Sequence, residues 1–232
     1  MNKIIPAEEK PLYLGHRERL RDKLLSYGGE TLADYELLEL ILMTALPRRD
    51  VKPLAKTLLA RFGSFAGVMN ASPTELMQVK GIKETTASVL KIIPAACERL
   101  LKQEISDTPA FTSWEKIQDY CFLKLAHKHN ERFHILFLNL KYHLIAAEEH
   151  QHGTINHTPV YPREILARAL ALNAAAVILV HNHPSGDPKP SEADIKLTDD
   201  LRKILKVSDI TVYDHIIIGK QGIYSFRKNG LM

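Results

Sequence analysis

Two histidines one residue apart, His181 and His183, stand at the end of an apolar, strand-like run over 174–180. Side chains alternate along a strand, so residues two apart share a face. Both imidazoles can then reach one point at the strand's C-terminal end. A loop with Gly186, Pro188 and Pro190 follows, and a helix start is predicted at Ser191-Glu192-Ala193-Asp194. Residues three apart share a helix face, which lets Ser191 and Asp194 look back at the histidines. Two imidazole nitrogens and one carboxylate are a common catalytic zinc set, with the fourth position open for water. The same donors also suit other divalent ions. Ser191 and Asp194 read equally as an N-cap with an acid at the third helical position, and Asp187 as a turn residue.

Donors on a strand, a turn and a helix keep their geometry only inside a packed sheet. A helix is predicted from Ser113 through Ile117, Tyr120, Cys121 and Leu125. Alternation over 132–140 puts Phe133, Ile135 and Phe137 on one face, and 144–151 returns beside it as a hairpin around Lys141-Tyr142-His143. Pro162 opens a helix through Ile165, Leu166, Ala169 and Leu172. The donor strand and a helix over 191–206 come next. Strands over 209–218 and 223–226, around Lys220-Gln221-Gly222, complete the order. It predicts an α/β sandwich with a mixed sheet.

Upstream the pattern is helical. A helix from Leu20 stops at Gly28 and Gly29, and Thr31 reads as the N-cap of one carrying Leu37, Leu38, Leu40, Ile41 and Leu42. Asp50 caps a helix that ends at Gly63. Ser72, Pro73 and Glu75 form a helix-start signature. A long helix runs from Glu84 to about Leu101, with a kink expected at Pro94. Residues 105–112, with Asp107, Thr108 and Pro109, are a composition break. The chain therefore reads as a small helical domain over 1–104, a linker over 105–112 and a metal-binding domain over 113–232. Residues 72–101 resemble a helix-hairpin-helix: Gly81 matches the motif's first glycine, while Lys83 stands where the second belongs. That resemblance implies DNA-phosphate contact at the second helix's N-terminus, through Lys80, Gly81 and Lys83. The same residues also describe a plain helical turn.

The run His181-Asn182-His183-Pro184-Ser185-Gly186-Asp187-Pro188, with Pro190-Ser191 and Asp194 after it, resembles the motif of the JAB/MPN (JAMM) metallohydrolases in their RadC branch. Residues 20–101 resemble the helical N-terminal region of RadC-like proteins. The resemblance implies an MPN/JAMM domain in which His181, His183 and Asp194 bind Zn(2+) and Ser191 hydrogen-bonds a developing oxyanion. It implies hydrolysis of a peptide or isopeptide bond in a peptide or protein substrate. It also implies a general base from an early strand. Matching Gly153-Thr154 and Pro162-Arg163-Glu164 to the RadC pattern places that base at Glu148, acting on a zinc-bound water. Glu148 and Glu149 face opposite ways on a strand, so only one can serve; both also fit the protective charges of an edge strand. Asn182 faces away from the ligands, and His215 reads as structural or supporting. An alternative carried by the same resemblance is a DNA-associated repair or recombination accessory protein.

The 232 residues are 45% hydrophobic and 25% charged, enough for two domains of a soluble globular class. No apolar run is long enough to span a membrane, and residues 1–10 lack a signal-peptide core. Cys97 and Cys121 are too few for a disulfide framework or a cysteine-rich zinc site. Together these features predict a cytoplasmic location. The net charge of +4 permits nucleic-acid contact without arguing for it. His-Glu-x-x-His is absent, which excludes a thermolysin-like helix. A Pro-Cys-x-x-Cys arm is absent too, which excludes nucleobase deaminases.

Overall fold

The computed structural model describes residues 15–152 and 161–232, apart from the side chains of Gln151 and His152. Gly153 and Thr154, used above to place Glu148, lie outside the described residues, as does the polar stretch 1–10. The chain divides into two compact units, Met1–Ala96 and Cys97–Met232.

The first unit is helical: α1 (His16–Tyr27), α2 (Asp34–Ala45), α3 (Lys52–Phe62), α4 (Phe65–Asn70) and α5 (Pro73–Met77), followed by α6 (Glu84–Asp107), which carries the chain into the second unit. Its core joins Leu38 and Leu42 of α2 to Leu54 and Leu58 of α3, pairs set four apart so that one face of each helix is buried. Leu76 and Leu90 add to this core from α5 and α6. The Ser72 signature forms a full capping box. Glu75 N–H donates to Ser72 Oγ at 3.2 Å, and Ser72 N–H donates to Glu75 Oε2 at 2.8 Å. Thr31 is not the cap of α2. Its hydroxyl donates to the Gly28 carbonyl within a short 3-10 turn, and α2 begins three residues later at Asp34. A threonine close to a free carbonyl closes a local turn instead.

The stretch read as a linker, 105–112, begins inside α6, and Ile105 and Ala110 are buried in the second unit's core. Leu101 and Ile105 are four apart and continue one apolar stripe, so the helix outlasts the polar composition around it.

The second unit contains α7 (Trp114–Leu125), β1 (Arg132–Leu138), β2 (Leu144–His152), α8 (Pro162–Ala171), β3 (Ala176–Asn182), α9 (Glu192–Lys206), β4 (Thr211–Gly219) and β5 (Gly222–Ser225). The strands form one sheet in the order β2-β1-β3-β4-β5. Only β3 and β4 are parallel, joined through α9; the other neighbours are antiparallel. This is the mixed-sheet α/β fold. On one face Leu136, Ile178, Val180 and Ile216 pack with Ile117, Tyr120 and Cys121 of α7. On the other, Phe133, Ile135, Val177 and Leu179 pack with Ile165 of α8 and Leu201 and Leu205 of α9. β3 is buried at every position. At about 1.5–3 kcal/mol for each large apolar side chain removed from water, it is a firmly held mount for a donor. Among the described residues no helix is long and apolar enough to cross a membrane.

Candidate metal centre

His181 is the penultimate residue of β3 and is 1% exposed. It faces the α8–α9 side of the sheet, its ring stacked on Phe133 of β1 with centroids 6.0 Å apart. Asn182 points the other way. Its Oδ1 accepts from Arg132 N–H at 2.9 Å, and its Nδ2 donates to the carbonyls of Asn130 at 3.1 Å and Lys128 at 3.3 Å. The strand end is thereby fastened to the entry of β1.

His183 lies just past the strand. Its Nδ1 is 2.8 Å from the Asp187 carbonyl, while Asp187 Oδ1 accepts from Lys189 N–H at 3.0 Å. The turn residue therefore shapes the loop with its side chain and orients His183 with its backbone. Gly186 has φ +94°, and a Cβ on Gly219 would meet the Gly186 carbonyl oxygen at 2.2 Å. The loop thus packs directly on the end of β4 because Gly219 lacks a side chain, while Gly186 supplies the left-handed turn. Ser191 then caps α9. Its Oγ accepts from Asp194 N–H at 3.2 Å and donates to Asp194 Oδ2 at 2.6 Å, and that oxygen also accepts from Ser191 N–H at 2.7 Å.

The structure brings His181, His183 and Asp194 together. His181 Nε2 is 3.0 Å from His183 Nε2 and 3.1 Å from Asp194 Oδ1, and His183 Nε2 is 3.4 Å from Asp194 Oδ2. Zinc–nitrogen bonds near 2.0–2.1 Å in a tetrahedron separate neighbouring donors by about 3.4 Å, close to these distances. The hydrogen-bond network also assigns the ring protons. Thr198 Oγ1 has a single proton, which goes to the Asp194 carbonyl at 2.6 Å. His215 Nδ1, 2.6 Å from the same oxygen, must therefore be a donor. Burial pushes the His215 pKa well down, with the His181 ring acting in the same direction, so His215 is neutral and its Nε2 accepts. His181 Nδ1, 2.8 Å away, donates to it and leaves a lone pair on Nε2. A backbone carbonyl only accepts, so His183 likewise keeps its proton on Nδ1. Two ring lone pairs and a carboxylate thus converge on a position that demands positive charge. The donor set fits a divalent cation such as zinc.

Protons compete for that position. Hydrogen bonding to Asp194 raises the His183 pKa against the opposing effect of burial. Burial raises the Asp194 pKa, but when the cluster holds a proton, hydrogen bonds from the His181 and His183 rings outweigh it and hold the carboxyl well below the usual range. A raised histidine pKa gives stability that is complete below the unfolded value of about 6.5 and is lost as pH rises through the folded value. A cation must displace that proton. Apparent zinc affinity is therefore expected to rise as pH increases through the same window, with proton release on binding. Calorimetric titrations in two buffers of different ionisation enthalpy measure the released proton directly.

Glu148 is not part of the cluster. In the sheet register it lies opposite Ile135, itself opposite Leu179, so it shares the face of His181. Two strand spacings and a two-residue offset put the two Cα atoms about 12 Å apart. Its carboxylate is clamped by Arg168 of α8, with Oε1 2.6 Å from Nη2 and Oε2 2.8 Å from Nε. That bidentate bond holds the Glu148 pKa down against a smaller contrary effect of burial. Glu149 is on the opposite face, with Arg132 at 3.2 Å and His134 at 3.6 Å. The Ser191 hydroxyl is committed to Asp194, as the cap requires. In the helical unit, Val79 and Ile82 are buried and hold the Lys80–Gly81 turn outward, with Lys80 and Lys83 exposed.

Sequence patterns missed Thr198 and Arg168. Thr198 is four residues after Asp194 on α9, a spacing that puts it on the donor face. Arg168 is four after Glu164 and reads as an ordinary surface pair.

The second unit thus places a His-His-Asp cluster that could hold a metal at the end of a central strand, under the helix that supplies the carboxylate. Residues 111–231 match the RadC-like JAB domain, and residues 13–88 match the family described as UPF0758 N-terminal. The chain belongs to this RadC-like, UPF0758 family. It is 50% identical over 213 residues to a UPF0758 protein of Rhodobacter capsulatus, covering 92% of this chain and 100% of that one. It is 46% identical over 223 residues to a UPF0758 protein of Ruegeria pomeroyi, covering 96% and 100%.

Proposed function

We propose that the chain is a metal-dependent hydrolase of peptide or isopeptide bonds. In this reading His181, His183 and Asp194 hold a zinc ion and Glu148 is the general base. The observation that carries it is the convergence of two imidazole lone pairs and a carboxylate oxygen at 3.0–3.4 Å. A zinc ion held by these three residues would supply Lewis acidity, polarising a scissile carbonyl and acidifying the attacking water. The chain's own groups do the rest. His215 fixes the His181 ring, and the Asp187 carbonyl fixes that of His183. Glu148 leaves Arg168, takes a proton from the attacking water and hands it to the departing amine. Ser191 turns its hydroxyl from Asp194 to the oxyanion while its backbone keeps the cap. The His183 side chain is 19% exposed, so the substrate approaches from that side.

The test is metal content together with turnover. The purified protein should carry about one zinc per chain and cleave a panel of peptides and isopeptide-linked conjugates, with activity removed by a chelator and restored by zinc. A zinc-loaded protein that cleaves no amide in such a panel would count decisively against this reading.

A further inference from the structure

The row of buried hydrogen bonds behind His181 ends on the hydroxyl of Thr198. This residue of α9 is 1% exposed. Its Oγ1 is 2.6 Å from the Asp194 carbonyl and 2.6 Å from His215 Nδ1, and His215 Nε2 is 2.8 Å from His181 Nδ1. On the far side of the His181 ring, Nε2 is 3.1 Å from Asp194 Oδ1. The row therefore starts and finishes on one residue, with the Asp194 carbonyl at one end and its carboxylate at the other.

The His215 ring is held too firmly to turn towards another partner. It has no solvent exposure, and Phe226 stacks on it with centroids 4.6 Å apart. On the backbone, His215 N–H donates to Asp214 Oδ1 at 2.7 Å, and its carbonyl accepts from Phe226 N–H at 2.9 Å. What is left to vary is the placement of protons. A neutral imidazole carries one N–H, so the row has two self-consistent arrangements. In the one assigned above, Thr198 donates to the Asp194 carbonyl, His215 donates from Nδ1 to Thr198, and His181 donates from Nδ1 to His215. In the other, the bonds between hydroxyl and rings are reversed, and His181 carries its proton on Nε2. No group gains or loses charge between them. Only the first leaves the His181 Nε2 lone pair open to a cation, and it needs an acceptor for the proton on His215 Nδ1.

Thr198 can be that acceptor because its own proton has another place to go. A hydroxyl offers one donor and two acceptor sites, and the four-residue spacing on α9 puts the Asp194 carbonyl within its reach. Valine has nearly the same shape and no hydroxyl. With valine, the cation-binding arrangement would strand a buried N–H, whereas the reversed one would strand a ring lone pair. Native structures leave a buried donor unpaired less often than an acceptor. We infer that Thr198 is a positioning residue for the metal: its hydroxyl accepts the last proton of the row and so holds His181 with Nε2 bare. The inference rests on the part of the proposed function that puts a cation on His181, His183 and Asp194, and not on amide hydrolysis.

The experiment is the zinc affinity of the full-length protein, measured by competition with a chelator, together with magnetic resonance of the histidine ring nitrogens, which reports where each proton sits. Thr198→Val should weaken zinc binding by about 10–100-fold, the range for losing an outer-shell partner, and Thr198→Ser should bind as wild type does. In zinc-loaded wild type His215 should carry its proton on Nδ1, and in metal-free Thr198→Val that proton should move to Nε2. A merely structural role for Thr198 would leave the proton in place. Thr198→Ala takes the place of the valine variant if that one does not fold. The inference is overturned if the folded variant without the hydroxyl keeps the wild-type affinity, if Thr198→Ser is as weak as that variant, or if zinc-loaded wild type carries the His215 proton on Nε2. A wild-type protein that binds no zinc would overturn it together with the proposed function. One that binds zinc in this Thr198-dependent way and cleaves no amide would support the inference and remove only the hydrolase.

Discussion

Glu148→Gln is expected to leave zinc bound at the wild-type stoichiometry and to lower amide hydrolysis by about 10²–10⁴-fold. The amide is nearly isosteric with the carboxylate but cannot accept a proton. Glu148 lies outside the donor cluster, two strands from His181, so metal content has no reason to change. A protein that lost zinc together with turnover would show that Glu148 acts on the site's structure. One that lost neither would remove it as the base. Arg168 provides an independent reading of the same role. A base works only when deprotonated, so activity falls as pH drops through the Glu148 pKa. Arg168 holds that pKa below the ordinary carboxylate value. Arg168→Gln should therefore shift the acidic limb of kcat/KM upward in pH, towards the ordinary glutamate value of about 4.3. The pair is partly exposed and screened by solvent, so the substitution should leave the thermal midpoint nearly unchanged.

The contrast between Glu148 and the cluster shows how much could be read from the chain alone. His181 and His183 were legible because a strand's two-residue period and a helix's three-to-four-residue period are local rules, and the apolar β3 fixed the phase of the first. Asp194 was legible twice over, as a donor and, with Ser191, as part of a cap, and the structure shows the two roles sharing one carboxylate. The Glu148–Arg168 clamp joins residues 20 apart across a strand and a helix, and no periodic rule connects them. The His181–His215–Thr198 relay is of the same kind: His215 comes from β4 and Thr198 from α9, and only their parallel pairing and packing bring the rings within 2.8 Å. The extent of α6 was hidden for a different reason. Its last turns are polar in composition, and burial of Ile105 keeps them helical.

Asp194→Asn should lower zinc affinity by more than about 100-fold, beyond the 10–100-fold typical of losing an outer-shell partner. The amide is uncharged and one of its two terminal atoms can no longer donate electrons to a cation. The cap should largely persist, because the remaining oxygen can still accept from Ser191 N–H. Ser191→Ala is the complementary variant: it removes the hydroxyl from the cap at a cost of about 1 kcal/mol and leaves all three donors in place, so zinc should stay. The two substitutions also separate under chelator, where Asp194 still closes the cap and is in addition the counter-charge of the histidines. Its depressed pKa gives stability that is present above the unfolded value of about 3.9 and lost as pH falls through the folded value, while the raised His183 pKa gives stability present below about 6.5 and lost as pH rises. The gap in thermal midpoint between chelated wild type and chelated Asp194→Asn should thus be widest between about pH 4 and 6.5 and narrow towards pH 8. Ser191→Ala keeps both charges, and its gap should be nearly flat over that range. A flat gap for Asp194→Asn as well would mean that the carboxylate and the imidazoles do not share charge, and the case for a cation between them would weaken with it.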